Sequence, residues 1–148
     1  MPAPHEINHV QTQFPIKELK KTLRLEALAR RDALLADYRG KASLQIADHG
    51  VPAIALRPAE IVSGFWPIRS EVDLRPLLFA LRDRGARLCL PVIIDRQTII
   101  FRELIRDMPM VSTGFGTSGP DGNAPVVDPS VMLVPLAAFD ARGHRLGY

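Results

Sequence analysis

The sequence predicts an α/β fold with a mostly parallel sheet. Two apolar runs, "EIVSGFWPI" (60–68) and "ARLCLPVII" (86–94), are continuous rather than alternating. Strands of that kind belong to sheets covered on both faces. Between them, "RSEVDLRPLLFALRDRG" carries apolar residues at helical spacing, giving strand–helix–strand. Two further strand-like runs follow, "QTIIFREL" and "VMLVPLAAF".

Taken in order, residues 1–15 are polar, proline-flanked and aperiodic, and read as a mobile leader. His5 and His9 sit there without a third metal ligand in view, so solvent-exposed histidines are the simpler reading. Residues 16–38 form the best helix: Ile16, Leu19, Leu23, Ala27, Leu34 and Tyr38 recur at helical spacing opposite a charged face. Gly40 is placed to end it, and a shorter helix over 41–48 closes at Gly50. The run at 60–68 is a buried strand with a small-residue break at Ser63-Gly64. Ser70 reads as the N-cap of the next helix, with Asp73 three residues on. Pro76 falls in its early turns, and Leu74, Leu77, Leu78 and Leu81 form its buried stripe. Gly85 is placed to stop it. A short turn at Asp95-Arg96 separates the next two strands, and the apolar run 131–139 is the last strand. Residues 111–125 hold four glycines and two prolines, and read as a long loop.

At 148 residues the chain is expected to be one domain, residues 16–148 after the leader. Its net charge of +3 is too small to argue for nucleic acid but suits an anionic small ligand. The lone cysteine, Cys89, lies in an apolar run and reads as a buried, reduced thiol. With no signal peptide and no run of membrane-spanning length, the expected location is the cytoplasm.

Three places could carry chemistry. Lys20 and Arg24 are four residues apart, so both heads project from one helix face, where two cations can clamp a polyphosphate. A solvated charged face balanced by Glu18 and Glu26 is the plainer reading of the same pattern. Trp66 precedes the rigid Pro67 at the carboxyl end of a strand, where open α/β sheets bind ligands. Together with Glu71 it offers a flat face and an acceptor for a heterocycle with N–H donors. Glu71 and Asp73 also suit the first turn of a helix on dipole grounds alone. Finally, "FDARGHRLGY" (139–148) places Asp140 and Gly143 at the ends of a tight turn leading into Arg145 and Gly147. The glycine-rich stretch 112–123 lacks the Lys-Ser/Thr ending of a phosphate loop, so no contact is assigned to it.

Together, "KKTLR", "PIRSEVDLRPLL" and "VPLAAFDARGHRLGY" resemble the 5-formyltetrahydrofolate cyclo-ligase (methenyltetrahydrofolate synthetase) family. The resemblance implies a Rossmann-like three-layer fold related to the ribose-phosphate isomerase and CoA-transferase group. It implies conversion of 5-formyltetrahydrofolate to 5,10-methenyltetrahydrofolate with ATP and Mg2+. Carried over, Lys20 and Arg24 would contact the ATP phosphates. Arg145, Leu146, Gly147 and Tyr148 would open the nucleotide loop. Trp66 and Glu71 would bind the folate, with Glu71 holding the pterin. No protein nucleophile and no metal ligand is assigned among these residues. The family pattern continues past Tyr148 with more glycines, a Tyr-Tyr pair and a magnesium-ligating aspartate. The chain is therefore expected to correspond to roughly the amino-terminal three-quarters of a cyclo-ligase. An alternative is a catalytically incomplete folate-binding or interaction module of the same fold. An uncovered sheet edge would then favour self-association.

Overall fold

The computed structural model describes residues 15–114 and 116–147. Two helices open the chain, α1 (Ile16–Asp32) and α2 (Ala36–Ala53). Then come β1 (Ile61–Ser63), α3 (Arg75–Asp83), β2 (Arg87–Ile93) and β3 (Ile99–Glu103). A hairpin of β4 (Met110–Gly114) and β5 (Thr117–Pro120) follows, then β6 (Val131–Met132). A last small hairpin pairs β7 (Ala138–Phe139) with β8 (Arg145–Leu146).

The main sheet has the order β3-β2-β1-β6. β1 runs parallel to both neighbours, with Val62 opposite Leu88 on one side and Val131 on the other. Only β3 is antiparallel, so the sheet is mostly parallel with one reversed edge strand. The apolar runs at 61–63 and 87–93 sit in its middle because only there are both faces covered. Val62, Leu88, Cys89 and Leu90 are buried there. All four leucines of the α3 stripe are buried with them. Pro76 occupies the first turn of α3, where its missing N–H costs nothing. Gly85 ends α3 in the left-handed region, at φ +97°. The sheet's two halves are also tied by a polar junction. Glu60, buried before β1, accepts hydrogen bonds from the Ser130 hydroxyl ahead of β6 and from Arg57 N–H. The Ser130 bond is the main reason its carboxyl lies below the ordinary value. Among the described residues no helix is long and apolar enough to cross a membrane.

Several boundaries differ from the sequence reading. The first helix stops at Asp32, and α2 starts at Ala36 and runs through Gly40, Gly50 and Pro52. Gly50 is not a stop: an added Cβ would lie 2.9 Å from Leu77 Cδ2, so glycine lets α2 and α3 approach. Ser70 does not cap α3, which begins five residues later, so Glu71 and Asp73 precede the helix rather than form its first turn. Asp73 instead accepts from Arg75 N–H and pairs with the Arg75 guanidinium. The glycine-rich stretch is largely the β4–β5 hairpin, turned by Gly114 and Gly116 at positive φ and closed by a Thr113–Thr117 hydroxyl bond of 2.8 Å. The last apolar run splits between β6 and β7, which belong to different sheets. The leader, His5 and His9 lie outside the described residues apart from Pro15.

Candidate functional site

At the carboxyl end of β1 the chain must turn sharply to clear the core. Gly64 makes this possible: a Cβ there would stand 2.6 Å from both Leu78 methyl carbons. Phe65 and Trp66 then emerge beside a cavity of about 540 Å³. Its other walls are Phe101 from β3 and the segment Met132–Pro135, which begins with the last residue of β6, while Arg69, Glu71 and Thr117 supply polarity. This is the topological position where parallel α/β sheets bind ligands. Trp66 is held from one side by the Arg75 guanidinium, 5.6 Å from the ring centroid. Arg75 is in turn fixed to Asp73 by two bonds of 2.7 Å. That pairing holds the Asp73 carboxyl below its ordinary value.

Glu71 is oriented by its own backbone. Its Oε2 accepts from Ile68 N–H at 2.9 Å, while its N–H donates to the Ile68 carbonyl at 3.0 Å. Arg69, inside this tight turn, takes φ +51°. The other Glu71 oxygen makes no hydrogen bond among the described residues, and the side chain lines the cavity. A preset carboxylate beside an indole face can accept N–H groups from a flat heterocycle.

A second cleft, about 420 Å³, lies between α1 and the β7–β8 hairpin. Lys20, Arg30, His144 and Arg145 face it, along with Leu146 and the 76% exposed Phe139. Arg24 Nε donates to the Gly147 carbonyl at 2.6 Å, tying α1 to the chain just after β8. The single carboxylate in the cleft, Asp140, is already engaged. It accepts from the N–H groups of Arg142 and His144 and bonds His144 Nδ1 at 2.9 Å. The His144 contact is the main cause of its lowered pKa. Gly143, at φ +83°, completes this turn. Several cations around one occupied carboxylate fit a polyanion, and the exposed Phe139 ring provides a face for a base. Among the described residues no three His, Cys, Asp or Glu side chains gather as a metal site.

The structure thus brings Lys20, Arg145 and Leu146 to one cleft, and Trp66 and Glu71 to another, while Arg24 and Gly147 bond each other without lining either. Tyr148 lies outside the described residues. One segment serves both places: Met132–Pro135 walls the first cavity and Ala138–Leu146 the second. A crevice of about 160 Å³ lies between α1 and that segment, lined by Arg31, Phe65, Glu71 and Pro135 among others. Sequence reasoning missed Arg69, Phe101, Phe139 and the 132–135 wall. Each reaches its cavity only through tertiary folding. A hint was available only for Phe139, an aromatic before the Asp140 turn. Cys89 takes no part: it is fully buried, and burial pushes its thiol up to about 11.

The sequence profile of the 5-formyltetrahydrofolate cyclo-ligase family matches residues 16–148. The chain belongs to that family. The 5-formyltetrahydrofolate cyclo-ligase of Haemophilus influenzae is 25% identical over 134 residues, 86% of this chain and 72% of that protein. The NMR structure of 5,10-methenyltetrahydrofolate synthetase from Aquifex aeolicus superposes with a TM-score of 0.74 at 28% identity. It covers 88% of this chain and 67% of its own. The synthetase from Mycoplasma pneumoniae, at 21% identity, shares the fold with a TM-score of 0.67 over 87% of this chain and 71% of its own. Cyclo-ligases are ligases, and the three motifs read from the sequence all fall within the matched span.

Proposed function

We propose that this cyclo-ligase family member converts 5-formyltetrahydrofolate to 5,10-methenyltetrahydrofolate, consuming ATP and releasing ADP and phosphate. The observation that carries the reading is the pair of adjoining clefts. One is apolar with an indole face and a preset carboxylate; the other is cationic; a single segment, 132–146, walls both.

The pterin lies against Trp66, with its N–H donors toward the open oxygen of Glu71. The apolar wall from Phe101 and Met132–Pro135 excludes water around it. ATP supplies the phosphoryl group that makes the formyl oxygen a leaving group, so that N10 can attack the same carbon and phosphate can depart. Lys20 and Arg145 neutralise the phosphates, and Arg24 holds the Gly147 carbonyl so that the loop after β8 keeps its place. Leu146 anchors that loop against α1. The described residues assign no protein ligand to Mg2+, which would arrive on the nucleotide's phosphate oxygens. The chemistry then rests on positioning and charge neutralisation, and no protein nucleophile is required.

The test is turnover of 5-formyltetrahydrofolate with Mg-ATP, followed by the near-ultraviolet absorbance of the methenyl product and by ADP release. Lys20→Ala should lower kcat/KM for ATP by about 10- to 100-fold while leaving folate binding intact. Glu71→Ala should do the reverse, lowering kcat/KM for the folate by a comparable factor. Binding of both ligands without turnover would leave the chain as a folate-binding module of the same fold. Variants that affect neither substrate would remove the site assignment.

A further inference from the structure

α1 is loosely packed for a helix of its length. Only Ala27 among its residues is buried, and Ile16, Leu19, Leu23 and Leu25 are all exposed. Among the described residues, polar bonds from a few side chains fasten it near its middle and at its end. Near its middle, Arg24 Nε donates to the Gly147 carbonyl just after β8. At its end, Arg31 Nε donates to Ser70 Oγ at 2.9 Å, and the Ser70 hydroxyl donates to Asp32 Oδ1. Ser70 is buried, and both bonds span nearly forty positions of sequence.

Ser70 sits between Arg69 and Glu71, two residues that line the cavity beside Trp66. On one side is Arg69, held at φ +51°, a conformation that persists only where surroundings enforce it. On the other is Glu71, whose carboxylate is aimed by the Ile68 turn. Arg31 and Glu71 line the same small crevice. A displacement of α1 therefore pulls directly on the turn that orients Glu71, with a hydroxyl as the link.

We propose that Ser70 is a positioning residue that couples the two substrate clefts. A nucleotide that draws Lys20 and Arg24 toward the β7–β8 hairpin seats α1. Ser70 then holds the Arg69–Glu71 turn in its folate-accepting geometry. By linkage the effect is reciprocal, so each substrate binds more tightly in the presence of the other. This inference rests on the two-cleft reading above.

The experiment measures the Kd of 5-formyltetrahydrofolate by fluorescence of Trp66, the only tryptophan, with and without a non-hydrolysable ATP analogue. The wild-type Kd is expected to fall about fivefold or more with the analogue present. In Ser70→Ala that ratio should approach one, with folate affinity in the presence of the analogue falling most, while the Kd of the analogue alone changes little. Asp32→Ala should act alike from the helix side, the double variant should add nothing further, and Ser70→Thr should restore the ratio. A purely structural role would weaken both ligands and lower Tm without changing the ratio. A ratio that survives in Ser70→Ala, or a wild-type ratio of one with both ligands bound, overturns the coupling and spares the two-cleft reading. Failure of the wild type to bind either ligand overturns that reading, and the coupling with it.

Discussion

Cys89 shows how far one residue's environment can be inferred from its neighbours in sequence. An apolar run without adjacent bases implied an inert thiol, and the side chain is fully buried beside Ser63. Burial raises its pKa from 9.0 to about 11, so the unfolded chain gives up the proton first. Its contribution to stability is complete below pH 9 and is lost as pH climbs toward 11. A thiol reagent at pH 8 should therefore label the native protein far more slowly than the denatured one. Equal rates would mean that Cys89 is accessible. Ser70 taught the opposite lesson. Its type and position before an apolar run fit an N-cap, but its hydroxyl bonds the end of α1. Both uses satisfy the same buried polar atom, and local pattern does not distinguish a partner three residues away from one nearly forty away.

Among the elements, the chain just after β1 comes close against α3. Gly64 lies against Leu78, which has no solvent exposure, so an added methyl group would have to displace a packed side chain. Gly64→Ala should cost about 1–3 kcal/mol through overpacking, read as a lower Tm, and should distort the Trp66 cavity. Leu78→Ala in the same background should recover part of that loss; if Gly64→Ala is neutral, the close approach is wrong. The β1 break and the α3 stripe were legible because dense burial leaves a strong periodic imprint. Helix ends were less so. Apolar spacing continues through Leu34 and Tyr38 although α1 has stopped, because both flanking helices share that pattern. Glycine is ambiguous in the same way: Gly85 ends a helix by its φ, whereas Gly50 lets two helices touch. The β4–β5 hairpin looked like a loop because its threonines, serines and glycines carry little apolar alternation.

For the molecule as a whole, five carboxylates among the described residues are held below their ordinary values, Asp95 chiefly by the Gln97 N–H. Ser130 does this for Glu60, Arg75 for Asp73, Arg87 for Glu103 and His144 for Asp140. Two of these pairs join distant segments, Glu60 with Ser130 and Glu103 with Arg87; the Asp73 and Asp140 pairs are local. Lowered carboxyl pKa values contribute stability above the unfolded-chain values of 3.8 and 4.5 and lose it as pH falls through the folded ones. Tm should hold steady from neutral pH to about 5 and then drop, and Glu60→Gln should flatten part of that drop. A Tm unchanged down to pH 3 would remove these carboxylates from the stability of the fold. The α/β class and its mostly parallel sheet were foreseeable at this scale. The cavity walls, assembled from segments far apart in sequence, were not. One pairing has a consequence for how the molecule comes to exist. Val62 meets Val131 across a long stretch of chain, through a strand of two residues. The β1–α3–β2–β3 unit closes short loops and can condense early, but β6 must await a costly long-range closure. Since 132–146 walls both clefts, a newly made chain would hold nearly its full core before it could grip either substrate. The order of assembly thus leaves substrate binding as a late reporter of correct folding.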